Sequence, residues 1–272
     1  MNLEQDINNA LREFNSGNKE TAYKKLIQIF NKNKSNDQLR FNIAVIEQAL
    51  NLNEKAKYNY EYLVKKNSNF KAIINLYILN LKQENFKESL SLINLLIKKS
   101  IISEQIIRDK AFVLFKLKQY DLSIDICKDY LKKNNDDVNF LNILGLNYFE
   151  KKEVKKSENI YKKALLIDSN NVGVLNSLGR LFHESRNSKN AEKYFLKAYE
   201  LNNASYEIIN NLAGFYREEG QYDKALKFYE KAININPNNP SIINNLAKTF
   251  FDLNNIGKAE EYSLKALKIN PE

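Results

Sequence analysis

The feature that most restricts this chain is a period of 34 residues. Residues 206–239 read YEIINNLAGFYREEGQYDKALKFYEKAININPNN, and residues 240–272 read PSIINNLAKTFFDLNNIGKAEEYSLKALKINPE, two versions of one unit. With Tyr206 and Pro240 at position 1, Leu212 and Leu246 fall at position 7, Ala213 and Ala247 at 8, and Tyr216 and Phe250 at 11. Ala225 and Ala259 then fall at 20, Ala232 and Ala266 at 27, and Pro237 and Pro271 at 32. The unit from Val172 repeats the pattern with Leu175, Leu178, Gly179, Phe182, Ala191, Phe195 and Ala198. The unit from Val138 does so with Leu141, Leu144, Gly145, Tyr148, Tyr161 and Ala164, and has Ser157 at the position of Ala191. The whole length of 272 residues is eight such periods.

Positions 4, 7, 8 and 11 lie on one face of a helix, and positions 20, 24 and 27 do the same on a second helix. Small residues at 8 and 20 let the two approach closely, and an aromatic at 11 or 24 fills the space beside them. Short polar turns such as Asn15-Ser16-Gly17-Asn18 and Glu219-Gly220-Gln221 divide the helices, with Gly or Asn suited to a helix C-cap. Asn236-Pro237-Asn238-Asn239-Pro240 stops one unit and starts the next. A pair of helices this short cannot bury its apolar face alone, so neighbouring units must complete the core. Only three prolines and seven glycines accompany this pattern, which excludes collagen-like and linker-rich chains and argues against a many-turned β protein.

A 34-residue period with apolar, Leu, Gly/Ala, aromatic, Ala, aromatic, Ala and Pro in that order resembles the tetratricopeptide repeat, a helix–turn–helix unit. The C-terminal units are also similar to the repeat arrays of peptide O-linked N-acetylglucosamine transferases. The N-terminal half departs from the pattern: Lys110 stands at a usual Leu position, Tyr77 stands where a small residue belongs, and the unit from Asp37 is one residue short. The resemblance implies an all-α, right-handed superhelical solenoid of about eight units, spanning 3–36, 37–69, 70–103, 104–137, 138–171, 172–205, 206–239 and 240–272 as a single domain.

It further implies a concave groove lined by first helices and holding an extended peptide or a partner's helix. Groove position 6 carries Asn8, Asn42, Asn75, Asp109, Ile143, Ser177, Asn211 and Asn245, and position 5 adds Asn142, Asn176, Asn210 and Asn244. An amide both donates and accepts, so a regular row of asparagines can pair with the backbone of an extended peptide. Arg180, His183, Arg217 and Lys248 would put basic groups in the same groove, facing a carboxylate or phosphate, with Glu150, Glu184, Glu218 and Asp252 at position 13 neutralising much of that charge. The clamp of chaperone-binding members is not reproduced, because Arg180 and Lys248 occupy the position of its first asparagine. Towards the N-terminus the groove is greasier, with Leu11, Val45, Ile78, Phe112 and Leu146 at position 9, and Phe14, Leu81, Phe115 and Phe149 at position 12. That stripe suits either a partner helix or tight packing between units.

Other functions find little support. There is no Gly-rich phosphate loop, HExxH, CxxC or G-x-S-x-G, and one Cys and one His leave no metal site to expect. No cofactor is expected, and Cys127 at position 24 reads as a core residue. The net charge of +9 sits mostly in residues 1–136, but lysines scattered on helix exteriors form a solvated face. Nucleic acid is disfavoured, since the basic residues form no single groove-facing row. Met1 to Leu11 carries Glu4 and Asp6, so no signal peptide is expected, and no window approaches the ~20 apolar residues of a membrane span. The expectation is a cytoplasmic, non-catalytic scaffold with a protein or peptide partner. The alternative is the substrate-recognition array of a glycosyltransferase or sulfotransferase system whose catalytic domain lies elsewhere. The last unit runs to Pro271 and Glu272 with no capping helix, so Leu264 and Leu267 should stay partly bare and could support self-association.

Overall fold

The computed structural model describes residues 3–67 and 69–270, which form sixteen helices and no strand. Pro271 at position 32 and Glu272 lie outside the described residues. The helices divide between two compact units, Met1–Gln119 and Tyr120–Glu272. The first holds α1 (Leu3–Asn15), α2 (Lys19–Lys32), α3 (Asp37–Ala49), α4 (Asn53–Asn67), α5 (Phe70–Lys82), α6 (Phe86–Lys98) and α7 (Glu104–Lys116). The second holds α8 (Tyr120–Leu131), α9 (Val138–Glu150), α10 (Val154–Ile167), α11 (Val172–Glu184), α12 (Ser188–Leu201), α13 (Tyr206–Glu218), α14 (Tyr222–Ile235), α15 (Pro240–Asp252) and α16 (Ile256–Ile269).

The same turn follows each of α1, α3, α5, α7, α9, α11, α13 and α15. Its left-handed residue always stands at position 15: Gly17, Asn51, Glu84, Lys118, Lys152, Arg186, Gly220 and Asn254, with φ between 56° and 94°. The next residue's N–H reaches back five residues, as from Gln221 to Tyr216 O at 2.8 Å and from Glu153 to Tyr148 O at 2.9 Å. This is the Schellman closure of a helix end. Only two of the eight positions are glycine, so most of these turns accept a left-handed side chain, at a cost of about 1–2 kcal/mol.

Helix starts are equally regular. Asn36, Asn69, Ser103, Asp137, Asn171, Ser205 and Asn239 each accept, through the side chain, the backbone N–H three residues on. Each such N-cap contributes about 1 kcal/mol.

In the second unit one core runs through every helix from α9 to α16, from Leu141 to Ala259. Its tightest points join positions 8 and 24. A Cβ added at Gly179 would lie 2.6 Å from the Phe195 ring, and the Tyr161 ring lies closer still over Gly145. Ser157, at position 20, donates to Gly145 O at 2.8 Å, so the hydroxyl ties the hairpin where alanine would only touch it.

The first unit builds its core in smaller clusters. Ala10, Ala22, Leu26, Leu39, Ile43 and Ile46 form one, and Ile73, Tyr77, Ile93, Leu96, Ile106 and Val113 another. Tyr77 takes a position meant for a small residue. It is buried, and its hydroxyl donates to Asp109 Oδ2 at 3.2 Å. Position 11 of the unit from Asp37 is Glu47, buried where the five C-terminal units place Leu114, Tyr148, Phe182, Tyr216 and Phe250. Tyr23 Oη and Asn59 Nδ2 donate to its two oxygens at 3.0 and 2.8 Å, and Arg40 completes the chain through Asn59 Oδ1 at 2.9 Å. Burial raises the Glu47 carboxyl above its usual range, partly offset by those two hydrogen bonds.

Candidate functional site

In the second unit the first helices of successive hairpins touch directly, α9 against α11, α11 against α13 and α13 against α15. Positions 5 and 6 of these helices meet across each contact. Asn211 Nδ2 donates to Asn176 Oδ1 at 3.1 Å and Asn245 Nδ2 to Asn210 Oδ1 at 3.1 Å, while Ser177 Oγ shares its one proton between Asn142 Oδ1 at 3.2 Å and Gly173 O of its own helix at 2.9 Å. All three cross-helix bonds span 35 residues, because position 6 of one unit meets position 5 of the unit before it. These side chains are half-buried or, for Ser177, nearly buried. The asparagine row is therefore a set of rungs that use one atom of each amide. The rungs leave unused an amide N–H₂ on Asn142, Asn176 and Asn210 and a carbonyl oxygen on Asn211 and Asn245. Asn244 is exposed and sits beside the rungs.

The N-terminal asparagines are placed differently. Asn42 Oδ1 accepts from Gln38 Nε2 on its own helix at 3.0 Å, and Asn75 Nδ2 donates to Tyr60 Oη at 3.1 Å. Asn8 is exposed and shares a shallow hollow with Asn42, Ile7, Leu11 and Asn36. The apolar residues at position 9 here, Leu11, Val45, Ile78 and Phe112, are half-buried.

Position 13 carboxylates bind the basic groups of the next or previous unit. Arg180 Nη2 lies 3.7 Å from Glu150 Oε1, with its guanidinium 5.1 Å over the Phe149 ring. Lys152 holds Glu184 at 2.9 Å, and His183 Nε2 lies 3.2 Å from Glu218 Oε2. Arg217 contacts Asp252 at 3.2 Å and Glu218 at 3.5 Å. Lys248 is exposed and stands apart from this chain of pairs. Between the pairs and the rungs lies a hollow of about 180 Å³, lined among others by Arg180, His183, Asn210, Gly214, Arg217 and Tyr229.

The turns, caps and rungs recur at the period of the sequence, and family models confirm the unit. A tetratricopeptide repeat model matches residues 138–171, 172–205 and 240–272, and a TPR repeat model matches 215–254. This chain carries tetratricopeptide repeats. Among solved structures, the thermophilic TPR protein TTC0263 of Thermus thermophilus is similar at a TM-score of 0.62 and 16% identity, over 67% of this chain and 99% of that one. MamA is similar at a TM-score of 0.49 and 24% identity, over 61% and 95% of the two chains. YrrB, described as a TPR protein with an unusual peptide-binding site, has a TM-score of 0.46 and 21% identity, over 66% and 93%. No curated protein matches the chain.

Cys127, on α8, is fully buried, and burial pushes its thiol up to about 12, so it packs as a small apolar residue. Among the described residues no helix is long and apolar enough to cross a membrane, and no group of three His, Cys, Asp or Glu is placed to hold a metal. Leu264 and Leu267 of the last repeat are about half exposed, at 52% and 55%. Two residues that the repeat pattern passed over prove central to the hollow, Gly214 at position 9 and Tyr229 at position 24. Gly214 carried a visible signal, since position 9 is Leu146, Arg180 and Lys248 in the other C-terminal repeats, whereas Tyr229 shares its aromatic position with Tyr161 and Phe195 and gave none.

Proposed function

We propose that this chain is a non-catalytic interaction scaffold that holds an extended peptide segment along the first-helix face of α9, α11, α13 and α15. The rungs are the observation that carries this reading. Each pairs two side chains across a repeat boundary and leaves an amide donor or acceptor unused, so the row is preorganised and would lose little entropy on binding. Amides in such a row recognise the backbone of a peptide rather than its sequence.

The spacing makes the reading quantitative. Packed helices lie ~8–10 Å apart, and an extended chain advances ~3.3 Å per residue, so about three peptide residues pass each rung. The test is a selection of random peptides displayed on phage against the full chain, followed by an N-methyl scan of a selected peptide. Removing backbone N–H groups should weaken binding with a period of about three residues, and a folded Asn176→Ala, Asn210→Ala double variant should lose most of the affinity. A scan with no period, or equal binding by that variant, rejects the reading.

A further inference from the structure

Gly214 opens a gap in the row of side chains at position 9, and the gap has a polar floor. With no side chain there, the Tyr229 hydroxyl comes up from the second helix of the same hairpin, 3.5 Å from where a Gly214 Cβ would stand. Tyr229 is fully buried, and its hydroxyl has no close hydrogen-bond partner. The Arg217 guanidinium lies beside it and lowers its pKa through its charge and a loose hydrogen bond, while the buried Nε of Arg217 makes no hydrogen bond of its own. Burial pushes the phenol up to about 12 against the lowering effect of the Arg217 charge, so it is a neutral O–H at physiological pH. Two buried donors on one wall without a full partner carry a desolvation penalty that a ligand bringing an acceptor would relieve.

The asparagines of the hollow both accept and donate. Asn211 and Asn245 spend their N–H₂ groups on the rungs and keep their carbonyl oxygens, while Asn210 spends its oxygen and keeps its N–H₂. The ionic groups cancel: Arg180 and Arg217 line the hollow together with Glu184 and Glu218, and Arg217 is already paired with Asp252 and Glu218. A carboxylate or phosphate would meet two carbonyl oxygens and paired carboxylates, and an apolar side chain would leave every polar group unpaired. A carboxamide matches both walls, its oxygen accepting from Tyr229 Oη and Arg217 Nε and its N–H₂ donating to an asparagine oxygen.

We propose that the hollow at Gly214 is a specificity pocket for a side-chain carboxamide, Asn or Gln, of a peptide lying on the rungs. This rests on the peptide-binding reading above and adds one anchoring residue to an otherwise sequence-tolerant face.

Peptides selected by the full chain should share Asn or Gln at one position. Synthetic peptides with that residue changed to Glu or Leu should bind about tenfold more weakly, the worth of roughly one to two hydrogen bonds. Tyr229→Phe removes only the hydroxyl, and Gly214→Leu fills the hollow with the side chain that position 9 already bears at Leu146. Both variants should melt no lower than a few degrees below the wild type. In both the preference for Gln over Leu should shrink below about threefold, while backbone binding persists. Equal binding of the Gln, Glu and Leu peptides, or an undiminished preference in folded Tyr229→Phe, overturns the pocket and leaves the groove standing. A failure of any peptide to bind overturns both.

Discussion

Replacing Gly179 with alanine should destabilise the second unit, although alanine is the better helix former. The helical gain is about 1 kcal/mol. Against it, the new Cβ would meet three Phe195 ring atoms at 2.6–2.8 Å, well inside ordinary contact. The ring is 1% exposed and backed by Phe215 at 5.8 Å between centroids, so it has no free direction in which to yield. Overpacking of this kind costs about 1–3 kcal/mol, and a ring held on both sides belongs at the upper end of that range. The net loss is then ~2 kcal/mol. Gly214→Ala is the matched control, one position further along the corresponding helix of the next repeat. Its Cβ would meet only the Tyr229 hydroxyl, at 3.5 Å, so most of the ~1 kcal/mol helical gain should survive. At about 2–4 °C per kcal/mol for a unit of this size, the two variants should melt some 6–12 °C apart, on opposite sides of the wild type, by circular dichroism. Stacked repeats need not unfold in one step, so the order and spacing of the melting temperatures is the test rather than an extrapolated free energy. Gly179→Ala melting at or above the wild type would refute the claim that the position 8 to position 24 contact sets the approach of the two helices.

Other expectations follow from the same geometry. Lys152→Gly and Arg186→Gly should each stabilise the chain by about 0.5–1 kcal/mol in urea melts, because both residues are held at positive φ, and Gly220→Ala should cost about 1 kcal/mol. Asn171→Ala, which removes an N-cap, should cost about 1 kcal/mol, whereas exposed Asn244→Ala should change stability by less than about 0.5; equal effects would count against the division of asparagines drawn above. Burial raises the carboxyl pKa of Glu47, and likewise that of Asp109. The folded chain therefore holds protons that the unfolded chain has released, and the contribution of these groups falls as pH climbs from about 4 through the raised values. The melting temperature of the wild type relative to Glu47→Gln should accordingly fall between about pH 4 and 7, and a rising difference would contradict it.

The helix pairs were legible because their signals are local and repeated. Leu212, Ala213 and Tyr216 state one face of α13, and Ala225 and Ala232 one face of α14, without reference to anything distant. Glu47 was not legible, because its burial depends on Tyr23 and Asn59 arriving from two other helices. The left-handed turns were half legible: Gly17 and Gly220 announce them, but Lys118, Lys152 and Arg186 do so only by sharing position 15.

Asparagine shows where sequence reasoning stops. A chain so rich in Asn offers no internal way to separate a functional row from background, since every copy looks alike. The fold separates them by partner. Asn36, Asn69, Asn171 and Asn239 spend their carbonyl oxygens on the backbone of their own helices, which is a stability role and is finished within the chain. Asn176, Asn210, Asn211 and Asn245 instead pair across repeat boundaries, and the pairing leaves half of each amide unused. Capping needs only a residue at the right place before a helix, so serine and aspartate substitute freely, as Ser103, Asp137 and Ser205 do. A rung that must also present a second hydrogen-bonding group needs a two-ended side chain. Ser177 closes its rung to Asn142 but has no amide to offer beyond it, so under the proposed function that rung would be the weaker end of the row and backbone recognition would be strongest between α11 and α15.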